Sequence, residues 1–378
     1  MKKLSLLFLF VATSYLLFAQ NVSTLIGPDI GINDALVFDS NGNLYGSDHE
    51  GLNVYKYSPE GDLSVFATFS HHPNGMVMDG EDNLYVSTPP GNKIFKIAPE
   101  GTITQYGPDI PNPNGIIFEY DSDTMIVTSY PNNTVGKLAP DGVFTPWLSN
   151  NGLNGPLGLS YDQNKVLYVA NFNDGKIFRV ENDQLVYFAT IPGGYVGIDY
   201  FSTGYIQWSG DYLYATGFGV NKIFRVNMQG LVEDFAGSGI AGLQDGAAST
   251  ARFYYPNGIC ASKTGDSLFI SDYETHAVRI ISDINTDVHS TKQPGFQFKC
   301  FPNPVFYKAY IRLEVPREME TYYQLVDMKG LFVAQGKWHL ASGENQREIS
   351  TSFLPSGTYT LTVSSKNEHV SQPIIVSN

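Results

Sequence analysis

Cysteine is almost absent from this chain: two residues in 378. A disulfide framework is therefore excluded as the main source of stability, and at this length none is needed, because a large core or two domains can be buried. Cys260 falls in an expected inner strand and Cys300 far downstream, so a bridge between them stays open and two free thiols are the simpler reading. Basic residues are scarce, 23 Lys and Arg against 37 Asp and Glu, giving a net charge of −14 and a pI near 4.8. Nucleic acid and anionic membrane surfaces need clustered Lys and Arg, and no cluster occurs beyond Lys2 and Lys3. After the first twenty residues no run is long and apolar enough to span a bilayer, so no transmembrane segment is expected. Gly-x-Ser-x-Gly, HExxH, CxxC and phosphate-binding glycine loops are all missing, which removes the most readily recognised hydrolase, metalloprotease, redox and nucleotide sites.

What is there begins with MKKLSLLFLFVATSYLLFAQ, a charged start followed by an apolar stretch, which reads as a secretory signal peptide (residues 1–20) cleaved near Ala19 or Gln20. Export to the periplasm is the expectation, with a secreted or outer-membrane-surface destination. Glycine (37) and aromatics (13%) are abundant, a mixture suited to short strands joined by tight turns.

Residues 73–101, PNGMVMDGEDNLYVSTPPGNKIFKIAPEG, set the pattern: short apolar runs separated by turn residues, with a further run, ITQY, after Gly101. The second run recurs as Leu44-Tyr45, Leu84-Tyr85, Met125-Ile126, Leu167-Tyr168, Leu213-Tyr214 and Leu268-Phe269, at steps of 40, 41, 42, 46 and 55 residues. The third recurs in phase, from Val54 to Val278. Six copies of a four-strand unit predict an all-β fold, a six-bladed β-propeller over residues 21–283. The sixth copy lacks a fourth strand, whereas VSTLIGPDI at residues 22–30 resembles TITQYGPDI at 102–110. The N-terminal strand is therefore expected to pair with the last blade and close the ring, hiding two sheet edges. Residues 284–297 read as a linker, and 298–378, with five or more alternating runs and no forty-residue unit, as a small β-sandwich.

Three resemblances follow from particular residues. The sixth copy resembles an NHL repeat in Asp245-Gly246, Ala251-Arg252-Phe253, Pro256, Gly258-Ile259, Asp272, His276 and Arg279. Blade 1, with Asp34 to Asp39 and Gly42 to Tyr45, resembles the opening blade of the senescence-marker-protein/gluconolactonase family. That likeness implies a divalent metal, commonly Ca2+, at one channel mouth. Carried over blade by blade, its ligands would fall on Asp34, Asn114, Leu157 and Val196. Two of these are apolar, so Asp34 and Asn114 are the metal candidates. The C-terminal region resembles the type A sorting domain of the Bacteroidetes type IX secretion system, in Phe301-Pro302-Asn303-Pro304, Asp327-Met328-Lys329-Gly330 and Leu354-Pro355-Ser356-Gly357-Thr358-Tyr359. This implies that residues 298–378 engage that secretion machinery as an export tag and add no chemistry.

The residues preceding the first-strand glycines, or Ala35 in blade 1, are Asp34, Asn74, Asn114, Leu157, Val196 and Asn257, and they are expected at the channel mouth, polar on one arc and apolar on the other. Pro-Asn-Gly has two readings. It is a turn, with Asn in left-handed geometry, or it is part of an arc that holds a cation or a sugar. His71 and His72 precede Asn74 and are ligand candidates on the same face. Asp39, Asp79, Glu119 and Asp162 recur after the first strand and read as turn acceptors. Tyr130, Phe172, Tyr195, Phe218 and Tyr273 are candidates for a channel rim, where stacking on sugars or peptides competes with blade packing. The leading functional expectation is a secreted or surface propeller that binds a ligand, glycan or protein partner at the mouth. The alternatives are a Ca2+-dependent lactonase-type hydrolase and a lyase acting on a secreted substrate.

Overall fold

The computed structural model describes residues 20–28, 30–149, 152–284, 297–327, 332–365 and 369–377. The expected signal peptide and most of the expected linker lie outside the described residues.

Six antiparallel sheets follow one another along the chain, each a meander that starts at the channel and ends at the rim. Blades 1 to 5 occupy residues 36–68, 76–105, 113–149, 156–190 and 203–236, and blade 6 takes residues 256–282 together with the N-terminal strand. Within blade 2 the register runs Met76↔Val86, Leu84↔Ile97 and Phe95↔Gln105, and the other blades repeat it. Second strands such as Leu84–Thr88 and Leu167–Asn171 are buried along their whole length, because each is covered on both faces by neighbouring blades. That is why these strands carry small and apolar residues without polar alternation.

Ring closure occurs as the sequence predicts. Asn21–Ile26 adds to Val278–Ser282 with Val22 opposite Ile281 and Ile26 opposite Val278. Val22 and Ile26 are buried. The outer edge of this strand meets Gly246–Ala247, so neither edge is left open at that point. A side-chain lock accompanies the pairing: Thr24 donates from its backbone N–H (3.1 Å) and its hydroxyl (2.8 Å) to Asp245, which the buried Arg279 also grips at 2.7 Å.

The innermost strands pack so closely that glycine is required. A Cβ at Gly75 would lie 2.1 Å from the Asn114 carbonyl oxygen, and one at Gly258 would lie 1.9 Å from that of Asp34. The second-strand hydroxyls fasten the same carbonyls from the adjacent blade: Ser47 to Asn74 O (2.8 Å), Ser87 to Asn114 O (2.6 Å), Thr216 to Asn257 O (2.8 Å) and Ser271 to Asp34 O (2.6 Å). This corrects the turn reading of Pro-Asn-Gly. Asn74, Asn114 and Asn257 are not left-handed; the positive φ falls one residue before the proline, at Asn112 (44°) and Tyr255 (55°). Backbone carbonyls at these positions are tied into the blade interface, and the Asn-Gly pair exists for close approach rather than for a turn.

The opposite ends of the blades behave as expected in three cases and differ in one. Asp39 accepts the backbone N–H groups of Asn41 and Asn43, and Asp79 those of Glu81 and Asn83. Asp162 does the same for Asn164 and Val166. Glu119 instead pairs with Lys137 at 2.7 Å, its longer side chain reaching across the sheet while Ser122 caps the turn.

Blade 5 brings a second correction. Its innermost strand is Thr203–Ser209, with Thr203 opposite Gly217 and Ile206 opposite Ala215 as Pro113 is opposite Ser129 and Ile116 opposite Val127 in blade 3, so Gly204 rather than Val196 holds the position equivalent to Asp34 and Asn74. Gly194–Val196 pairs with Asp199–Phe201 as an inserted hairpin turning at Gly197 (φ 64°). Its Gly197-Ile198-Asp199-Tyr200 mimics the start of a blade strand, which explains the shifted expectation.

Strands from Gln297 onward form three-stranded and four-stranded layers joined where Val305 meets Val376. Phe298, Ile311, Leu325, Leu361, Val363 and Ile374 share one core between them.

Candidate functional site

The innermost strands deliver their leading residues to one mouth of the channel, and a cavity of about 440 Å³ opens there. Asp34, Asn74, Asn114, Leu157 and Asn257, five of the residues expected at the mouth, line it. Val196 lines it too, from the inserted hairpin above rather than from a strand of the ring.

At the floor, Asp34 is 1% exposed. Its Oδ2 accepts from Asn74 Nδ2 at 2.6 Å and its Oδ1 from Asn257 Nδ2 at 3.0 Å. Tyr205 reaches across the channel from blade 5, donates its hydroxyl to Asn74 Oδ1 at 3.0 Å and also faces Asp34. Burial pushes the Asp34 carboxyl up to about 8, against the opposing hydrogen bonds of Tyr205 and Asn257. Tyr205 is held well above its ordinary range by its own burial and by Asp34. His49 Nδ1 stands 3.4 Å from Asp34 Oδ2 and 3.0 Å from Asn74 Nδ2. Desolvation and then the neighbouring His72 lower its pKa, so near neutral pH this contact joins two uncharged groups rather than an ion pair.

His71 and His72 do not line the cavity. His72 bonds the Gly51 carbonyl through Nδ1 at 2.8 Å and stands behind His49, with ring centres 6.4 Å apart. His71 contacts Ser70 and packs on Gly91, where no Cβ would fit. The mouth histidine is His49, outside the adjacent pair that stands out in the sequence. The signal was available: five residues beyond each second-strand anchor stand His49, Pro89, Tyr130, Phe172, Phe218 and Tyr273. Tyr130, Phe172, Phe218 and Tyr273 of the rim share that register, and blade 1 places His49 at the same point.

Above the floor the wall is aromatic. Phe218 lies at its centre, stacked on Tyr255 (5.1 Å, 15°) and edge-on to Tyr273 (5.6 Å, 63°) and Phe172 (5.2 Å, 65°). Phe201 from the hairpin closes against Phe172 at 4.8 Å, and Tyr130 stands 6.0 Å from Phe172 on the other side. Tyr195, expected at the rim, instead projects outward, 73% exposed against Tyr200. Glu274 lines the outer edge, and among the described residues no Lys or Arg lines the cavity.

The metal implied by the gluconolactonase resemblance meets a poor donor set. Asp34 is faced by amide N–H and phenol O–H groups, Asn114 Oδ1 accepts the Tyr130 backbone N–H at 3.1 Å, and Leu157 offers no donor. Calcium wants about six to eight oxygens, and these residues do not supply them. Among the described residues no three His, Cys, Asp or Glu side chains gather.

A family model of the secretion system C-terminal sorting domain matches residues 299–377, and one of the NHL repeat matches residues 253–281. Among curated proteins, no sequence matches this chain. Solved structures share the propeller. An auxiliary nutrient binding protein from Bacteroides thetaiotaomicron is 18% identical with a TM-score of 0.60, covering 70% of this chain and 76% of that one. A gluconolactonase from Xanthomonas campestris is 15% identical with a TM-score of 0.54, covering 70% and 89%. A catalytically inactive virginiamycin B lyase from Staphylococcus aureus with quinupristin is 20% identical with a TM-score of 0.50, covering 68% and 82%. At these identities the likeness is one of fold. The chain is a β-propeller with an NHL repeat and a C-terminal sorting domain.

Proposed function

We propose that this chain is an exported binding protein that holds a small organic ligand in the channel-mouth cavity. The sorting domain marks it for export through the type IX system to the cell surface or medium. The observation that carries the binding reading is the pairing of a continuous aromatic wall with a floor whose polar groups, Asn257 Oδ1 excepted, are engaged with one another. Such a surface retains an apolar or ring-bearing molecule, and it presents no activated nucleophile. An auxiliary nutrient binding protein is built on the same fold, so the fold accommodates such a role; the cavity itself supports it.

Calorimetry of the full chain against neutral sugars, short peptides and small organic acids and amines tests the reading. Binding to one class, weakened about tenfold or more by Tyr255→Ala with an unchanged melting curve, is the supporting result. No binding by any class overturns it. A hydrolase or lyase reading rests on the contact of His49 with the buried Asp34, a pair able to hold and pass a proton. Turnover of a lactone or ester that is lost in His49→Gln would favour it. For the destination, residues 298–378 are removed and the chain is followed by fractionation: retention in the periplasm is the expected outcome.

A further inference from the structure

The floor and wall of the cavity constrain the chemistry of its occupant. A hydroxyl-rich ligand needs several directed partners, and the floor has few to offer. Asp34 is taken by Asn74 and Asn257, Asn74 Oδ1 by Tyr205, and Asn114 Oδ1 by the Tyr130 backbone; of these side-chain oxygens Asn257 Oδ1 alone is buried without a hydrogen-bond partner. The wall, by contrast, is built of rings set at several angles to one another, since Phe218 meets Phe172 at 65°, Tyr273 at 63° and Phe201 at 86°. Rings set at such angles, all lining one cavity, do not form a single flat slot. A cation is drawn to aromatic faces within about 6 Å of the ring centre, and more strongly where water is excluded.

Charge points the same way. Among the described residues no Lys or Arg side chain lines the cavity, while the carboxylate of Glu274 stands at its outer edge. Glu50 adds a second acid just beyond, held by Tyr273 (3.1 Å) and His276 (3.1 Å). The whole chain is −14, so the field at the mouth favours approach of a positive solute. A bare metal ion or ammonium would leave most of about 440 Å³ empty, whereas a drug-sized organic molecule fills it.

We infer that the cavity is an aromatic cage for an organic cation, an alkylated or quaternary amine whose charged head meets the ring faces of Phe218, Tyr255 and Tyr273 with Glu274 at the entrance. The inference rests on the binding reading above and names the ligand class of that same site. The head group is recognised by π faces and a distant carboxylate, without a directed hydrogen bond, so methylation of the amine is tolerated and loss of its charge is not.

The test compares isosteres on the full chain by calorimetry: choline against 3,3-dimethylbutan-1-ol, which replaces the quaternary nitrogen by carbon, and benzyltrimethylammonium as a larger cation. The expected result is binding of both cations, with the neutral isostere weaker by about tenfold or more. Glu274→Gln, an exposed position, should weaken the cations severalfold and flatten the salt dependence of binding. Tyr255→Leu should weaken them further while leaving the melting temperature near that of the parent. Equal binding of choline and its carbon isostere overturns the inference, as does failure of both cations to bind at millimolar concentration. If neutral sugars or organic acids bind, lose affinity in Tyr255→Leu and leave the cations inactive, the cation inference fails while the binding reading stands. If no probe of any class binds, both fail.

Discussion

Asp34 and Asp39 stand five residues apart at opposite ends of the same innermost strand, both nearly fully buried, and the chain uses them in opposite ways. Asp39 is satisfied inside one hairpin by Asn41 N–H (2.9 Å), Asn43 N–H (2.9 Å), Asn43 Nδ2 (2.6 Å) and the Tyr45 hydroxyl (3.2 Å). Asp79 repeats the arrangement almost atom for atom with Glu81, Asn83 and Tyr85. Asp34 has no counterpart in any other blade. Its neighbours come from blades 1, 2, 5 and 6, and they neutralise it by burial rather than by charge. Local, repeated carboxylates hold blades together, and the solitary one with distant partners marks the mouth.

The sharpest way to break this contrast is through pH. The Asp34 carboxyl is raised from 3.8 to about 8 in the folded chain. Between those values the folded state holds a proton that the unfolded state has released, so stability is complete below about pH 4 and is lost as pH rises towards 8. Asp34→Asn cannot ionise. The stability difference between parent and variant should therefore shift by about 1.4 kcal/mol per pH unit between pH 5 and 7. Urea unfolding at several pH values measures it, and a difference that does not move with pH would dissolve the distinction between the two aspartates. Taking the difference removes Asp272, which burial also raises, to about 7.

At the other end, Asp39→Ala leaves several buried donors without an acceptor and should cost about 2–3 kcal/mol at every pH, with ligand affinity unchanged. A smaller effect is expected from Asn43→Ala, about 1 kcal/mol by the same unfolding measurement, since Asp39 keeps its backbone and Tyr45 donors. Smallest of all, Tyr195→Ser on the outward face of the hairpin should change stability by less than about 0.5 kcal/mol. Retained affinity in that variant would confine binding to the inward wall.

Six blades, their phase and the closure of the ring by an N-terminal strand were legible because every blade solves the same packing problem with the same spacing. The mouth was legible only in part. Asp34, Asn74, Asn114 and Asn257 share a strand position and could be aligned, whereas Val196 was displaced because the blade 5 insertion imitates a strand start. Tyr205 stands at the blade 5 position that Gly115 and Gly258 hold, a departure hidden by the alignment on Val196, and its role depends on crossing the channel to a residue 131 positions away. His71 and His72 drew notice as a pair, yet the loop turns both aside and brings in His49, whose significance lay in a register shared with aromatic residues of a different type.

The pairing of Asn21–Ile26 with Val278–Ser282 also governs the order in which this protein can come into being. Roughly 260 residues separate the two partners, and the entropy of joining them rises only slowly with that span, so the cost falls on time more than on stability. Until the last blade has emerged, the first strand has nowhere to go, and five finished blades wait on an incomplete sixth. A permuted chain in which residues 21–28 follow Ser282 would make the same blade from neighbouring sequence, and it should fold faster to a ring of equal shape.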